Sequence, residues 1–131
     1  MGKTSTKGVS KLKKELDKWF SLFIRYRDKG VCYTCGMQKH PKEMQNGHFA
    51  PRQYLAVRYS EINNNCQCYA CNMLYNGQPS AYAINLKKQY GEGIVEEIES
   101  LRKQTTKLTP MWYEEQIELY KKRAQELIER F

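Results

Sequence analysis

The chain has 131 residues, of which 40% are hydrophobic and 27% charged, so it can form one domain with a modest core and is not disordered throughout. No apolar run reaches the roughly 20 residues needed to cross a bilayer, and the opening residues lack the apolar core of a secretory signal. The net charge of +8 arises in residues 1–90, because residues 91–131 carry more acidic than basic side chains. This distribution favours a polyanion such as nucleic acid, rather than a membrane, as the partner; lysine for solubility alone is the alternative.

The first predicted element is a basic amphipathic helix. Residues 1–9 are expected to form a flexible basic tail and residues 10–29 the helix, with Ser10 as its N-cap and Gly30 as its stop. The apolar residues at helical spacing are Leu12, Leu16, Trp19, Phe20, Phe23 and Ile24. We expect this stripe to belong to the core and the opposite, basic face to meet a partner. The candidate DNA contacts on that face are Lys13, Lys14 and Lys18.

Residues 31–77 are predicted to form a metal-stapled centre. Its first part, Val-Cys-Tyr-Thr-Cys-Gly from Val31, is typical of a metal-binding knuckle in which the glycine supplies the turn. Short strands are expected near residues 31–33 and 46–49, joined by a polar stretch. Residues 51–59 are expected to be irregular or weakly helical. The side chains expected to be exposed there are Arg52, Tyr54, Arg58 and Tyr59.

Residues 79–131 are predicted to be helical. After a short helical piece from Cys71, Pro79 opens a helix that Gly91 ends, and residues 93–103 form another. Thr109 and Pro110 are an N-cap and first-turn pair for the last helix. The apolar stripe of this helix consists of Trp112, Ile117, Tyr120, Ala124, Leu127, Ile128 and Phe131. The stripe fits either a core within the chain or the interface of a homodimer.

Four of the five cysteines are spaced as zinc ligands. They form two pairs separated by two residues each: Cys32 with Cys35, and Cys68 with Cys71. Four thiolates suit a tetrahedral, structural Zn²⁺ with no open position for water, and two separated pairs fit zinc better than an iron–sulfur cluster. Cysteines without a signal peptide indicate a reducing compartment, where such pairs are metal ligands more often than disulfides. Cys66 is left over and is expected to be a buried small residue or a free thiol rather than an alternative ligand.

The region between and beside the cysteine pairs carries a histidine and two asparagines in a specific order. His48 lies between the pairs, Asn63 follows fifteen residues later, and Asn72 comes directly after the last cysteine. This order resembles the HNH nuclease pattern, whose fold is of the ββα-metal type. The fold class predicted is therefore α+β, mostly α: a single domain, residues 1–131, with a zinc-stapled, HNH-like ββα centre flanked by N- and C-terminal helices.

These residue types can hydrolyse a phosphodiester. A neutral imidazole such as that of His48 can take a proton from an attacking water. Asn63 is expected to hold the imidazole through its amide oxygen, and Asn72 to present its amide oxygen to a catalytic Mg²⁺ or Mn²⁺ that neutralises charge on the phosphate. The other histidine, His40, lies in a polar connection and is expected at the surface.

A narrower set of residues resembles the NinG (Rap) family of phage recombination proteins. The set, within residues 11–91, consists of Gly47, His48, Phe49, Arg52, Arg58, Tyr59, Asn63, Gln67, Cys68, Cys71 and Asn72. The resemblance implies a structure-specific endonuclease that cuts branched DNA in the bacterial cytoplasm, similar to the endonuclease VII-type junction resolvases. In those, a four-cysteine zinc site supports a histidine base and an asparagine metal ligand. Arg52 and Arg58 are then candidate phosphate contacts.

Gly47 departs from the HNH pattern, in which an acidic residue often precedes the catalytic histidine. A neutral amide alone holds Mg²⁺ weakly, because hard cations prefer carboxylate oxygen. Glu43 is the nearest acidic candidate for the catalytic ion and Glu61 the second. Otherwise DNA phosphates complete the site, or catalysis is lost. The NinG family shares the glycine, so we do not interpret it as a loss of activity.

Two other functions fit the same sequence. The chain could be a non-catalytic zinc module that binds DNA or a recombination partner through its first helix. It could also be a protein-interaction scaffold that uses the C-terminal stripe. The ordered set of His48, Asn63 and Asn72 within the cysteine frame favours catalysis over both.

Overall fold

Helices dominate the computed structural model, which describes residues 8–131. The elements in chain order are α1 (Val9–Arg27), a 3-10 turn (Pro41–Glu43), β1 (Gln45–His48), α2 (Leu55–Arg58), β2 (Asn64–Gln67), a π-helical turn (Ala70–Leu74), α3 (Pro79–Tyr90), α4 (Ile94–Arg102) and α5 (Pro110–Arg130). None of these helices is long and apolar enough to span a membrane.

The first helix begins earlier than predicted. Gly8 is the N-cap of α1 and Val9 its first residue, so Ser10 lies within the helix. Of the predicted tail, residues 1–7 lie outside the described residues. Gly30, with a φ of +73°, follows the end of the helix, as expected for a glycine stop.

The N- and C-terminal helices pack against each other around an apolar cluster. The buried members are Leu12, Leu16, Phe20, Phe23 and Ile24 of α1 with Tyr113, Ile117, Tyr120 and Ala124 of α5. Thr109 caps α5 as predicted, because its hydroxyl accepts from the N–H of Trp112 at 3.1 Å. Much of the predicted C-terminal stripe is thus covered within the chain, whereas Ile128 and Phe131 are 37% and 55% exposed.

A second apolar cluster joins the middle helices to the sheet. Its buried members are Ala50, Val57, Tyr82, Leu86, Ile94 and Ile98. α3 begins at Pro79 and ends before Gly91, as predicted. The hydroxyl of Tyr82 donates to the carbonyl oxygen of Gly47 at 2.8 Å and lies 3.1 Å from the amide nitrogen of Asn65. Because these residues belong to β1 and β2, α3 braces both strands.

The sheet pairs β1 with β2 in antiparallel register, with His48 opposite Asn64. β1 confirms the strand predicted near residues 46–49. The strand predicted near 31–33 is wrong, since only Val31 forms an isolated bridge, with Gln38. That short pairing closes the first cysteine knuckle instead of extending the sheet.

β2 is the strand that the sequence did not predict. Asn64 and Asn65 are buried within it, although asparagine is typical of turns. Their amides satisfy nearby backbone carbonyls: Asn64 donates to Ser60 at 2.7 Å and Asn65 to Ile62 at 3.2 Å. A polar strand can be buried here because its side chains find hydrogen-bond partners.

Candidate functional site

The predicted zinc ligands converge. The sulfur atoms of Cys32, Cys35, Cys68 and Cys71 all lie within 4.8 Å of one another. Sγ of Cys35 is 3.7 Å from Sγ of Cys68, close to the roughly 3.8 Å between sulfurs in a tetrahedron with Zn–S bonds of about 2.3 Å. These four cysteines could hold a zinc ion with every coordination position filled by protein.

The electrostatics of the thiols also favour a bound cation. Burial raises the pKa of Cys71. At Cys32, burial acts in the same direction, but hydrogen bonds from Thr34 and nearby backbone groups lower the pKa to about 6. Four sulfurs this close cannot all be ionised without a positive charge between them, and Zn²⁺ would supply it.

Cys66 stands apart from this set. Its side chain is fully buried, and burial raises the pKa of its thiol to about 12. It packs with Cys32, Cys68, Cys71 and Met44 as a small apolar residue. This agrees with the expectation that Cys66 is a buried small residue or a free thiol.

A cleft of about 340 Å³ lies beside the cysteine cluster. It is bounded by α1, β1, the loop before α2 and the π-helical turn. The lining side chains that matter chemically are Asp17, Asn46, His48, Arg52, Asn72 and Met73. The cleft therefore brings His48 and Asn72 together, as predicted, and adds two polar residues that the sequence did not identify.

His48 has the protonation state of a base in this cleft. Burial, followed by the charges of Arg52 and Arg58, lowers its pKa to about 4, while Asp17 acts in the opposite direction. The imidazole is therefore neutral at pH 7, and a neutral imidazole can accept a proton.

Asn63 does not hold the imidazole. Its side chain is fully buried, and its amide oxygen accepts from the N–H of Ala50 at 2.8 Å. The amide nitrogen donates to the carbonyl oxygens of Ala50 and Val57 at 3.0 and 3.2 Å. Asn63 thus pins the backbone that follows His48, because the buried peptide groups there need partners.

Asn72 is held at the cleft by a single side-chain hydrogen bond. Its amide nitrogen donates to Oε1 of Gln45 at 2.7 Å, and its backbone N–H bonds to the carbonyl of Cys68. Among the hydrogen bonds between described residues, none engages the amide oxygen of Asn72. That oxygen is the atom predicted to meet a catalytic cation, and the role stays a prediction.

The two acidic residues predicted for the catalytic ion are elsewhere. Glu43 is exposed and does not line the cleft. Glu61 accepts hydrogen bonds from Tyr120 at 2.7 Å and Arg123 at 3.1 Å. Neither carboxylate is placed to complete a metal site with Asn72.

Asp17 is the carboxylate that lines this cleft, and its oxygens are already engaged. Oδ1 accepts from Nε of Arg58 at 3.1 Å and from the hydroxyl of Tyr59 at 2.8 Å. Oδ2 accepts from Arg58 at 2.6 Å and from Arg52 at 3.2 Å. Two arginines thus neutralise Asp17, and the carboxylate orients them at the cleft.

Comparison with known proteins identifies the family. The model described as Bacteriophage Lambda NinG protein matches residues 1–130. The chain belongs to the NinG family. No curated protein and no solved structure matches it. The resemblance to NinG is therefore confirmed, and the wider likeness to HNH and endonuclease VII-type nucleases stays a prediction.

The glycine before His48 has a structural reason in this NinG chain. A Cβ atom on Gly47 would lie 1.8 Å from Oε1 and 2.6 Å from Cδ of Gln67. Gln67 is fully buried, and its amide nitrogen is tied to Thr34 and Gly77 at 3.0 and 2.9 Å. Residues 47 and 48 also point to opposite faces of β1, so an acidic side chain at 47 would not share the face of His48.

The arginines of the NinG chain are less free than predicted. Arg58, expected to be exposed, is 7% exposed. Its burial is possible because its guanidinium pairs with Asp17 and donates to the carbonyl of Arg52. The side chain of Arg52 is 64% exposed and can still reach a phosphate. Lys14 and Lys18 are exposed and Lys13 half-buried, one turn or less from Asp17 along α1.

Sequence reasoning missed Asp17 and Asn46. Asn46 lies two residues before His48 in β1, so both side chains are on the same face of the strand. The alternation of side chains along a predicted strand is the signal that could have identified Asn46. Its amide oxygen is buried without a hydrogen-bond partner among the described residues. Asp17 is on α1, far from His48 in sequence, and nothing in its local sequence ties it to the cleft.

Proposed function

We propose that this NinG-family chain is a metal-dependent endonuclease that cuts branched DNA. The observation that carries the proposal is a neutral histidine in a cleft that two asparagines and an arginine also line, adjacent to a cysteine cluster suited to zinc. The family match supports a phage protein. The surplus of basic residues before residue 91 supports a nucleic-acid substrate.

In the proposed reaction, His48 takes a proton from a water molecule as its oxygen attacks the scissile phosphorus. The bond from phosphorus to the leaving oxygen breaks, and Arg52 stabilises charge on the phosphate. Asn72, with Asn46 beside it, would hold Mg²⁺ or Mn²⁺, which supplies positive charge at the leaving oxygen. Asp17 positions Arg52 through their 3.2 Å ion pair.

The described lining of the cleft offers no unpaired carboxylate to a catalytic cation. Asp17, the carboxylate that lines it, is paired with Arg52 and Arg58. Amide oxygens alone bind Mg²⁺ weakly, so the phosphates of DNA must contribute ligands. We therefore expect the protein to hold its catalytic cation only in the presence of DNA.

The decisive experiment compares two histidine variants. Wild-type protein with Mg²⁺ or Mn²⁺ is given a synthetic four-way junction, a flap and a linear duplex. His48→Ala should reduce junction cleavage by at least about a hundredfold, since general base catalysis contributes about 10²–10⁴. His40→Ala, a change of the same type at an exposed position, should cut normally. Failure of the wild-type protein to cut any of these substrates would refute the proposal.

A second candidate is a zinc-containing DNA-binding module without catalysis. The pairing of Asp17 with two arginines favours it, because the described cleft lining then offers no free carboxylate for a cation. This alternative expects equal junction affinity for wild type and His48→Ala, and no cleavage by either.

A further inference from the structure

Four large side chains are exposed within one short segment at the edge of the cleft. Tyr69, Met73, Leu74 and Tyr75, here called the apolar ledge, have relative exposures of 55%, 56%, 62% and 58%. Exposed apolar residues that occur singly need no explanation, but four within seven positions mark a contact surface.

The ledge is adjacent to the cleft, and its backbone is anchored by a buried cysteine and a hydrogen bond within the segment. Met73 lines the cleft together with His48 and Arg52. Within the same segment Cys71 is buried in the cysteine cluster. The N–H of Tyr75 bonds to the carbonyl of Ala70 at 2.9 Å, which closes the π-helical turn. The backbone under the exposed side chains is therefore fixed, so binding does not have to order the chain itself.

The charge around the ledge favours an anionic occupant. Residues 62–91 contain no aspartate or glutamate, and two lysines, Lys87 and Lys88, are among them. Arg52 lies with Met73 along the cleft. A segment without acidic side chains, beside an arginine whose side chain is 64% exposed, suits a polyanion such as DNA.

We propose that the apolar ledge binds unpaired bases of DNA next to the scissile strand, an inference that rests on the proposed function for the entry of DNA into the cleft. Tyrosine rings stack on the faces of bases of any sequence. In a fully paired duplex those faces are covered by neighbouring base pairs. The ledge thus selects substrates with unpaired nucleotides, as found in a single-stranded flap or a bubble.

The experiment measures binding, without added divalent cation, to two DNA duplexes of equal length. One has a central bubble of unpaired thymines and the other is fully paired. Wild-type protein should prefer the bubble about tenfold or more. The double variant Tyr69→Ala/Tyr75→Ala should lose most of this preference while it keeps its affinity for the paired duplex. Tyr69→Phe/Tyr75→Phe, which retains the rings, should behave as wild type.

The outcome is independent of catalysis, because His48→Ala should retain the preference for the bubble even if no variant cuts DNA. Equal wild-type affinity for both duplexes would overturn the inference, as would a parallel loss of affinity for both in the alanine variant. Sedimentation of the same variants supplies a further criterion. If the alanine changes dissociate an oligomer and leave the preference for the bubble unaltered, a second copy occupies the ledge and the inference is wrong.

Discussion

Asn63 and Asn72 are the same residue type near the same cysteines, yet they do different work. Both the amide oxygen and the amide nitrogen of Asn63 form hydrogen bonds with the backbone of Ala50 and Val57. Asn72 makes one side-chain bond, to Gln45, and leaves its amide oxygen at the cleft. At the scale of residues, burial separates a structural asparagine from a candidate ligand, and residue type does not.

Gly47 carries the first prediction. Gly47→Ala should destabilise the protein by about 1–3 kcal/mol, because the new methyl group displaces the buried amide of Gln67, which is itself bonded to Thr34 and Gly77. Gly93→Ala is the matched control, since a Cβ there meets nothing within 4 Å and φ is −84°. Urea unfolding of both variants measures the effect. Equal midpoints for the two would contradict the packing argument.

His48 carries a prediction about pH. Its pKa is lowered from 6.5 to about 4 in the folded protein, so the unfolded chain binds the proton first as the pH falls. The free energy of unfolding should therefore decrease as the pH falls from about 6.5 to about 4, and this contribution should be complete below that range. Carboxylates titrate in the same window, so the measurement is the difference between wild type and His48→Gln in urea unfolding at each pH. A difference that does not vary with pH would exclude a lowered pKa.

The elements that carry the site are individually too short to be stable. β1 and β2 have four residues each and the π-helical turn five. Two such strands do not form a stable sheet alone, and metal binding in a small centre contributes directly to folding. At the scale of elements, the cysteine cluster provides the stability that an apolar core would give elsewhere, because strand β2 is polar.

Substitution of one cysteine tests whether zinc stabilises this centre. Cys35→Ser should lose the bound zinc and destabilise the centre, because it removes one ligand of four. Cys66→Ala alters a buried thiol outside the cluster and should retain one zinc per chain, at a cost of about 1–2 kcal/mol in stability. Metal content by elemental analysis, with thermal unfolding, distinguishes them. Equal zinc content in both variants would mean that Cys35 is not a ligand.

At the scale of the whole molecule, the cleft lies between the apolar cluster of α1 and α5 and the buried cysteines. Phe20 of the first cluster and Met44, which packs with the cysteines, both line it. α1 contributes both a core face and the Asp17 that orients the arginines of the cleft. The same helix exposes Lys14 and Lys18, which lie within one turn of Asp17.

The lysines of α1 give a prediction at this scale. Lys14→Glu should weaken DNA binding and lower the salt dependence of the binding constant by about one unit of slope, because one phosphate contact is lost. Lys103→Glu makes the same change of net charge at an exposed position at the end of α4 and should change the slope little. Binding is measured over a series of salt concentrations. Equal effects would point to net charge alone, without a defined DNA path on α1.

Local rules predicted most helices and the cysteines that cluster. Proline at the start of α3 and α5, and glycine after α1 and α3, act through neighbouring residues alone. The cysteine pairs were identified because their spacing follows from tetrahedral geometry. β2 could not be predicted, since its asparagines favour turns in isolation and become strand residues only when the hydroxyl of Tyr82 and the carbonyls before them accept hydrogen bonds from their amides.

The cleft was predicted only where its residues are close in sequence. His48 and Asn72 were found through their position relative to the cysteines. Arg58 was misjudged because its partner, Asp17, lies in another helix and is brought to it by packing of the first helix on the rest of the chain. Such contacts have no local signature, so they require the tertiary structure.

The pairing of α1 with α5 also bears on how the protein is made. α1 is synthesised first among the described helices and α5 last, and the two bury their apolar faces in each other. The contact cannot form until α5 has left the ribosome, and contacts between distant segments slow folding. We therefore expect α1, which lines the cleft, to be incompletely packed in the nascent chain. The cleft should form fully only after α5 has been translated.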